Sequence, residues 1–128
     1  MNLNYKATGY VIADGNGVCI AVVVNGIKNV LWKFVPDIPR TMGRGNEAFR
    51  KHKNKRIDVY IELIIKKMNK FFITLGEMNV DKVVVSYTYA ERIMNHGNLD
   101  EQMNNLSTVY VSYGMEPGLS MAIQQIEQ

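Results

Sequence analysis

Cysteine is nearly absent from this chain: Cys19 is the only one in 128 residues. A lone thiol closes no intramolecular disulfide and builds no cysteine-based zinc site, so redox and structural-zinc functions fall away and a reducing compartment is expected. Histidine is scarce too. His52 and His96 are far apart in sequence, and neither has a carboxylate at the spacing of a metal or nucleophilic site. No run approaches the roughly 18 to 20 consecutive apolar residues of a membrane span, and Met1 to Thr8 holds no apolar stretch like that of a secretory signal. A soluble, cytoplasmic protein with no membrane partner is the expectation. Phosphate-loop chemistry is missing, because Gly43-Arg44-Gly45 is followed by no Lys-Ser or Lys-Thr pair. Ser86, Ser107, Ser112 and Ser120 lie in no nucleophile elbow. Neither a cofactor nor a bound metal is expected.

What the chain does have is the material of one globular unit, residues 1–128, with 47% apolar and 21% charged residues. Ala7 to Ala13, Val18 to Val24 and Asn29 to Val35 are rich in β-branched and aromatic residues and read as strands. Asp14-Gly15-Asn16-Gly17 and Asn25-Gly26 between them close tight hairpins, so an antiparallel meander opens the fold. Pro36 to Asn46 has two prolines and two glycines and reads as an exposed loop.

Beyond it, Ile57, Ile61, Ile64, Ile65, Met68, Phe72 and Leu75 recur at steps of three and four. That spacing predicts a long helix, packed on one side, over at least Arg56 to Leu75, with Gly76 as its stop. Lys82 to Tyr87 and Thr108 to Ser112 read as short apolar strands buried on both faces. Tyr89 to Asn95 and Leu99 to Leu106 read as helical pieces broken at Gly97, and Leu119 to Gln128 as a last helix. The order β-β-β-loop-α-β-α-β-α predicts an α/β fold around a mixed sheet of about five strands, ribonuclease H-like in topology.

The net charge of +3 conceals an uneven distribution. Between Arg40 and Arg56, seven cations (Arg40, Arg44, Arg50, Lys51, Lys53, Lys55, Arg56) face Glu47 alone, a local charge of +6 that leaves the rest of the chain at −3. Glycines let a backbone approach a partner closely, and arginine forks bind phosphates bidentately, so a basic loop ahead of the helix suits a nucleic-acid surface better than a small metabolite. His52 lies inside the same run. A nuclease would require several carboxylates converging on paired metal ions. Asp14 ends the first strand, but the later strands hold no acid, so Asp14 reads as a turn residue. Cys19 reads as a small buried hydrophobe.

Several segments, in order, resemble the middle domain of the eukaryotic and archaeal class-I peptide-chain release factors: Gly9 to Gly17 (GYVIADGNG), Val30 to Pro39 (VLWKFVPDIP), Gly43-Arg44-Gly45, and Tyr110 to Ile123 (YVSYGMEPGLSMAI). In the family a strand ending in Ser-Tyr-Gly-Gly leads into a Glu-, Gly- and Ala-containing helix. Ser112-Tyr113-Gly114, Glu116, Gly118 and Ala122-Ile123 follow that order. The resemblance implies ribosomal RNA or tRNA as partner, other translation factors beside them, and a Gly-Gly-Gln tip that helps water attack peptidyl-tRNA. On this chain the tip is Gly45-Asn46-Glu47, and the stretch after it is a few residues shorter.

A carboxylate there opposes the developing oxyanion and repels RNA phosphates. The expectation is therefore a non-catalytic, ribosome- or RNA-associated relative that modulates termination, rescue or dormancy, with Arg40, Arg44, Gly45, Arg50, Lys51, His52, Lys53, Lys55 and Arg56 against RNA. The alternative is a peptidyl-tRNA hydrolase with a modified tip, working through the backbone N–H that persists at Glu47 beside separate partners. A third reading is an interaction module or a fragment of a longer factor.

Overall fold

The computed structural model describes residues 7–38 and 47–127. Strands β1 (Ala7–Asp14), β2 (Gly17–Val24) and β3 (Ile27–Phe34) come first, followed by helix α1 (Glu47–Phe72) and a small hairpin, β4 (Ile73–Thr74) with β5 (Glu77–Met78). Strand β6 (Lys82–Ser86), helix α2 (Tyr87–Met94), strand β7 (Ser107–Val109) and helix α3 (Met115–Ile126) complete the described elements. The main sheet runs β3-β2-β1-β6-β7. Its first three strands are antiparallel, while β6 lies parallel to β1 and β7 parallel to β6. This is the expected mixed α/β architecture.

The meander follows from its turns. Asp14 pairs with Gly17, and the Asp14 Oδ1 accepts the N–H groups of Asn16 and Gly17 at 2.8 and 3.1 Å. Asn25 and Gly26 sit at φ 53° and 82°, the left-handed pair of a type I′ hairpin. Between β2 and β3 the register slips at Ile20/Ala21, leaving Leu31 as an extra residue that bends the edge strand.

Strand alternation divides the core in two. Val11, Ala13, Val18, Ile20, Val83 and Val85 face Tyr60, Ile61, Ile64, Ile65, Met68 and Phe72 of α1 and Ala90 and Ile93 of α2. Tyr10, Ile12, Cys19, Ala21, Val23, Val84 and Val109 face Leu119 and Ala122 of α3. The sheet is thus sandwiched between helices, with β1 and β6 buried on both faces as an apolar run predicts, whereas β7, expected to be so too, is an edge strand that leaves Thr108 exposed. Gly9 is what lets α1 lie so close: a Cβ there would be 2.6 Å from the Phe72 ring.

The boundaries differ from those expected of the sequence at several points. Helix α1 begins at Glu47 and ends at Phe72, because Leu75 and Gly76 take φ 53° and 82° in the β4–β5 turn, where Leu75 stands in solvent. Asn79 caps that end, donating its N–H to the Phe72 carbonyl at 3.0 Å and its side-chain amide to that of Phe71 at 2.8 Å. The helical piece over Leu99 to Leu106 reduces to a 3₁₀ turn, Glu101–Met103, capped by Asp100. Strand β7 ends at Val109 and α2 starts at Tyr87. Helix α3 starts at Met115, so Pro117 lies in its first turn, where a missing N–H is tolerated.

Candidate nucleic-acid interface

Helix α1 has two halves. From Tyr60 onward it buries a continuous face, but between Glu47 and Val59 no residue is buried. At 1.5 Å per residue this free half reaches about 20 Å past the first buried ring. Its direction is set by two contacts. The Tyr60 hydroxyl donates to the Asp14 carbonyl at 2.8 Å, at the C-terminal end of β1, and Phe72 packs on Gly9 near the other end. The free half therefore projects past the edge formed by the C-terminal ends of β1, β6 and β7.

Arg50, Lys51, His52, Lys53, Lys55 and Arg56 all sit on this overhang. Seven consecutive positions at 100° each go all the way round a helix, so the charge faces every side, with half-buried Phe49, Lys53 and Ile57 marking the strip that leads into the core. A sequence expectation is corrected here: these cations are helical turns and not part of an extended loop. Glu, Ala, Lys and Arg are strong helix formers and no proline or glycine follows Gly45 before the core face begins, but the segment lacks the apolar period that announces a helix. Arg40, Arg44, Gly45 and Asn46 lie outside the described residues.

Arg56 is held by the segment after β3. Its Nη1 donates to the Asp37 carboxylate at 3.1 Å and to the Asp37 carbonyl at 3.3 Å. Asp58, also on the overhang, pairs with Arg92 of α2 at 3.7 Å. Arg50, Lys51, Lys53 and Lys55 enter none of the ion pairs among the described residues. His52, Lys55, Arg56 and Val59, at i, i+3, i+4 and i+7, share one face and line a shallow depression of about 390 Å³. Glu47, the described residue of the Gly45-Asn46-Glu47 tip, is exposed in the first turn of α1, where a negative charge is favoured by the helix dipole.

Asp14 is not free to act. Its Oδ1 takes two turn N–H groups, its Oδ2 accepts the Gly114 N–H at 2.9 Å, and its carbonyl takes the Tyr60 hydroxyl. Among the described residues no three His, Cys, Asp or Glu side chains gather where they could hold a metal ion. His96 lies elsewhere, its Nδ1 accepting the Asn98 N–H at 3.1 Å, in a 330 Å³ cleft with Asp58, Glu62 and Arg92. Cys19 is buried, and desolvation followed by the nearby Glu116 pushes its thiol up to about 11, which makes it unreactive. Tyr60 is also pushed upward, first by burial and then by Tyr89 and Asp14. No described helix is long and apolar enough to cross a membrane.

Aromatic residues escaped the sequence reading. Trp32 stacks on Phe34 (5.6 Å), Phe34 leans on Tyr60 (6.3 Å) and Tyr60 meets Tyr89 edge-on (5.8 Å), a chain of rings at the root of the overhang. Lys67 lies 5.5 Å from the Trp32 ring centre. Tyr87 and Tyr110 stack at 4.6 Å on the surface. The signal available for the last pair is a tyrosine directly after the Val-Val-Val-Ser and Ser-Thr-Val strands.

Comparison with known proteins agrees with this architecture. A model of the family described as eRF1 domain 2 matches residues 7–128. The chain is similar to the eukaryotic peptide chain release factor subunit 1 of Cryptosporidium hominis, 28% identical over 123 residues that cover 91% of this chain and 29% of that one. The same factor of Dileptus margaritifer is 28% identical over 91% of this chain and 28% of its own; that of Dictyostelium discoideum is 24% identical with the same coverage. The chain thus spans less than a third of the length of the relatives it matches. Among solved structures, that of the archaeal translation termination factor aRF1 shares the fold, with a TM-score of 0.72 at 18% identity over 95% of this chain and 34% of that chain.

Proposed function

Because the chain belongs to the eRF1 domain 2 family, we propose that it docks on ribosomal RNA or tRNA through the cationic overhang of α1 and modulates termination, rescue or dormancy without cleaving peptidyl-tRNA. The observation that carries this reading is the projecting half-helix, whose Arg50, Lys51, Lys53 and Lys55 are neutralised by no described acid. Exposed cations that no described acid neutralises meet phosphates at low desolvation cost, and releasing condensed counterions supplies the affinity. In sequence, Arg40 and Arg44 add two cations ahead of the helix with Gly45 beside them, His52 adds a donor, and Arg56 serves partly as a strut to Asp37.

The lack of hydrolysis rests on Glu47. The family tip, by the resemblance stated above, ends in a neutral glutamine. Here a carboxylate opens the helix, and its charge disfavours an oxyanion forming nearby. Cosedimentation with ribosomes tests the docking: association at low salt that dissolves at high salt is expected, and absence from ribosomes at low salt refutes it. Release of labelled peptide from loaded ribosomes tests the chemistry. Release by the native chain would favour the modified hydrolase, acting through the Glu47 backbone N–H.

A further inference from the structure

Two of the exposed rings are placed side by side by the sheet itself. In the parallel register Ser86 lies opposite Val109, so the next residue of each strand, Tyr87 and Tyr110, emerges at the same sheet end. Their rings stack at 4.6 Å and 24°, yet Tyr87 remains 58% exposed and Tyr110 67%. Tyr113, 63% exposed, follows on the same connection. None of the three hydroxyls makes a hydrogen bond among the described residues. No core residue requires these rings, and an exposed aromatic pair is unusual surface chemistry.

That sheet end is the one past which α1 projects. Helix α2, which Tyr87 begins, is joined to the overhang by the Arg92–Asp58 pair, and Tyr89 packs edge-on against Tyr60 at its root. The C-terminal ends of parallel strands, where the chain order switches from β1 outward to β6, are also where open α/β sheets receive ligands. That sheet end therefore carries flat π-faces and free hydroxyl donors, and the helix that projects past it carries unneutralised positive charge. Charge complementarity points to a polyanion, and the rings require a partner with its own exposed flat faces. Single-stranded nucleic acid has both, whereas a duplex hides its bases.

We propose that Tyr87 and Tyr110, with Tyr113, form a stacking platform for an unpaired RNA base whose neighbouring phosphates lie along α1. This rests on the RNA-docking reading and adds to it a preference for single strands. An acidic protein would use the same cations but would gain little from the stack.

The test uses a single-stranded oligoribonucleotide carrying 2-aminopurine, and the same strand annealed to its complement. Tyr87→Leu with Tyr110→Leu keeps apolar bulk and removes the flat faces; Tyr87→Phe with Tyr110→Phe keeps the faces. Native protein is expected to quench 2-aminopurine in the single strand. The Leu pair is expected to abolish quenching and weaken single-strand binding roughly tenfold, with duplex binding within about twofold. The Phe pair retains the quenching. Equal losses on both probes, or no loss on the single strand, overturn the platform while leaving the docking intact. Lys51→Glu with Lys55→Glu is expected to weaken both probes. If that pair changes neither, or if native protein binds neither, the docking reading fails and the platform with it.

Discussion

Asp14 and Gly114 are locked together: the carboxylate Oδ2 accepts the Gly114 N–H at 2.9 Å, and a Cβ on Gly114 would stand 2.6 Å from the Asp14 carboxyl carbon. The end of β1 is thereby fixed to the start of α3 across a hundred residues of chain. Asp14→Ala leaves three backbone N–H groups without that partner, and charge-assisted bonds of this kind predict a loss of about 2 kcal/mol. Asp14→Asn keeps one acceptor and is expected to lose about half as much. Urea unfolding measures both, and ribosome association should persist in each folded variant.

Gly9 and Phe72 form a second such contact. Gly9→Ala drives a methyl group into the Phe72 ring and is expected to destabilise by about 1–3 kcal/mol, as overpacked cores do. Adding Phe72→Leu should recover part of that loss; a double variant no better than the sum of the single ones would refute the contact as the cause.

Salt dependence reports the charge on α1. With four unneutralised cations on the overhang, the logarithm of RNA affinity should fall against the logarithm of salt with a slope of about three to four. Lys51→Glu with Lys55→Glu should flatten that slope by about two or more. Arg56→Ala should change it less, since Asp37 already holds that guanidinium.

Glu47 links helix stability to chemistry. Removing its charge by Glu47→Gln should reduce α1 stability by about 0.3–1 kcal/mol, because the first turn loses its favourable charge. Joined to Asn46→Gly, it should raise peptide release above that of the native chain. Release unchanged by the pair would show that the tip alone does not govern the reaction.

Alkaline pH should destabilise the folded protein. Burial pushes the Cys19 thiol from 9.0 to about 11, so the unfolded chain loses that proton first. Stability contributed by the neutral thiol is full below pH 9 and is lost as pH rises toward 11, by about 1.4 kcal/mol per unit for this group. The buried Tyr10 and Tyr60 are shifted the same way and deepen the loss above pH 10. Thermal melts at pH 8, 9 and 10 check the slope, and Cys19→Ala should make it shallower.

The meander, the core face of α1 and the doubly buried β6 are all legible in the sequence, because each is announced by local chemistry: an Asn25-Gly26 turn, an apolar step of three and four, a Val-Val-Val run. Four described glycines of the resemblance are architectural. Gly9 seats Phe72, Gly17 makes room for Met115, Gly114 meets Asp14, and Gly118 abuts the Tyr113 carbonyl. Where the family pattern has its second glycine, Met115 stands at φ 57°, a left-handed conformation that glycine takes more easily. The helical state of Arg50 to Arg56 is not legible, since helix propensity without an apolar stripe looks the same as a solvated loop. Nor is the Tyr87–Tyr110 pair, which depends on the register of two strands brought together from distant parts of the chain.

A rod clamped along one half and free along the other behaves as a cantilever. The clamp of α1 is the row Ile61, Ile64, Ile65, Met68 and Phe72, and a small tilt allowed there is magnified toward Glu47 in proportion to the free length. Core substitutions at Ile64 or Met68 are therefore expected to shift the direction in which the first turns of α1 point, although those side chains lie far along the helix from Glu47.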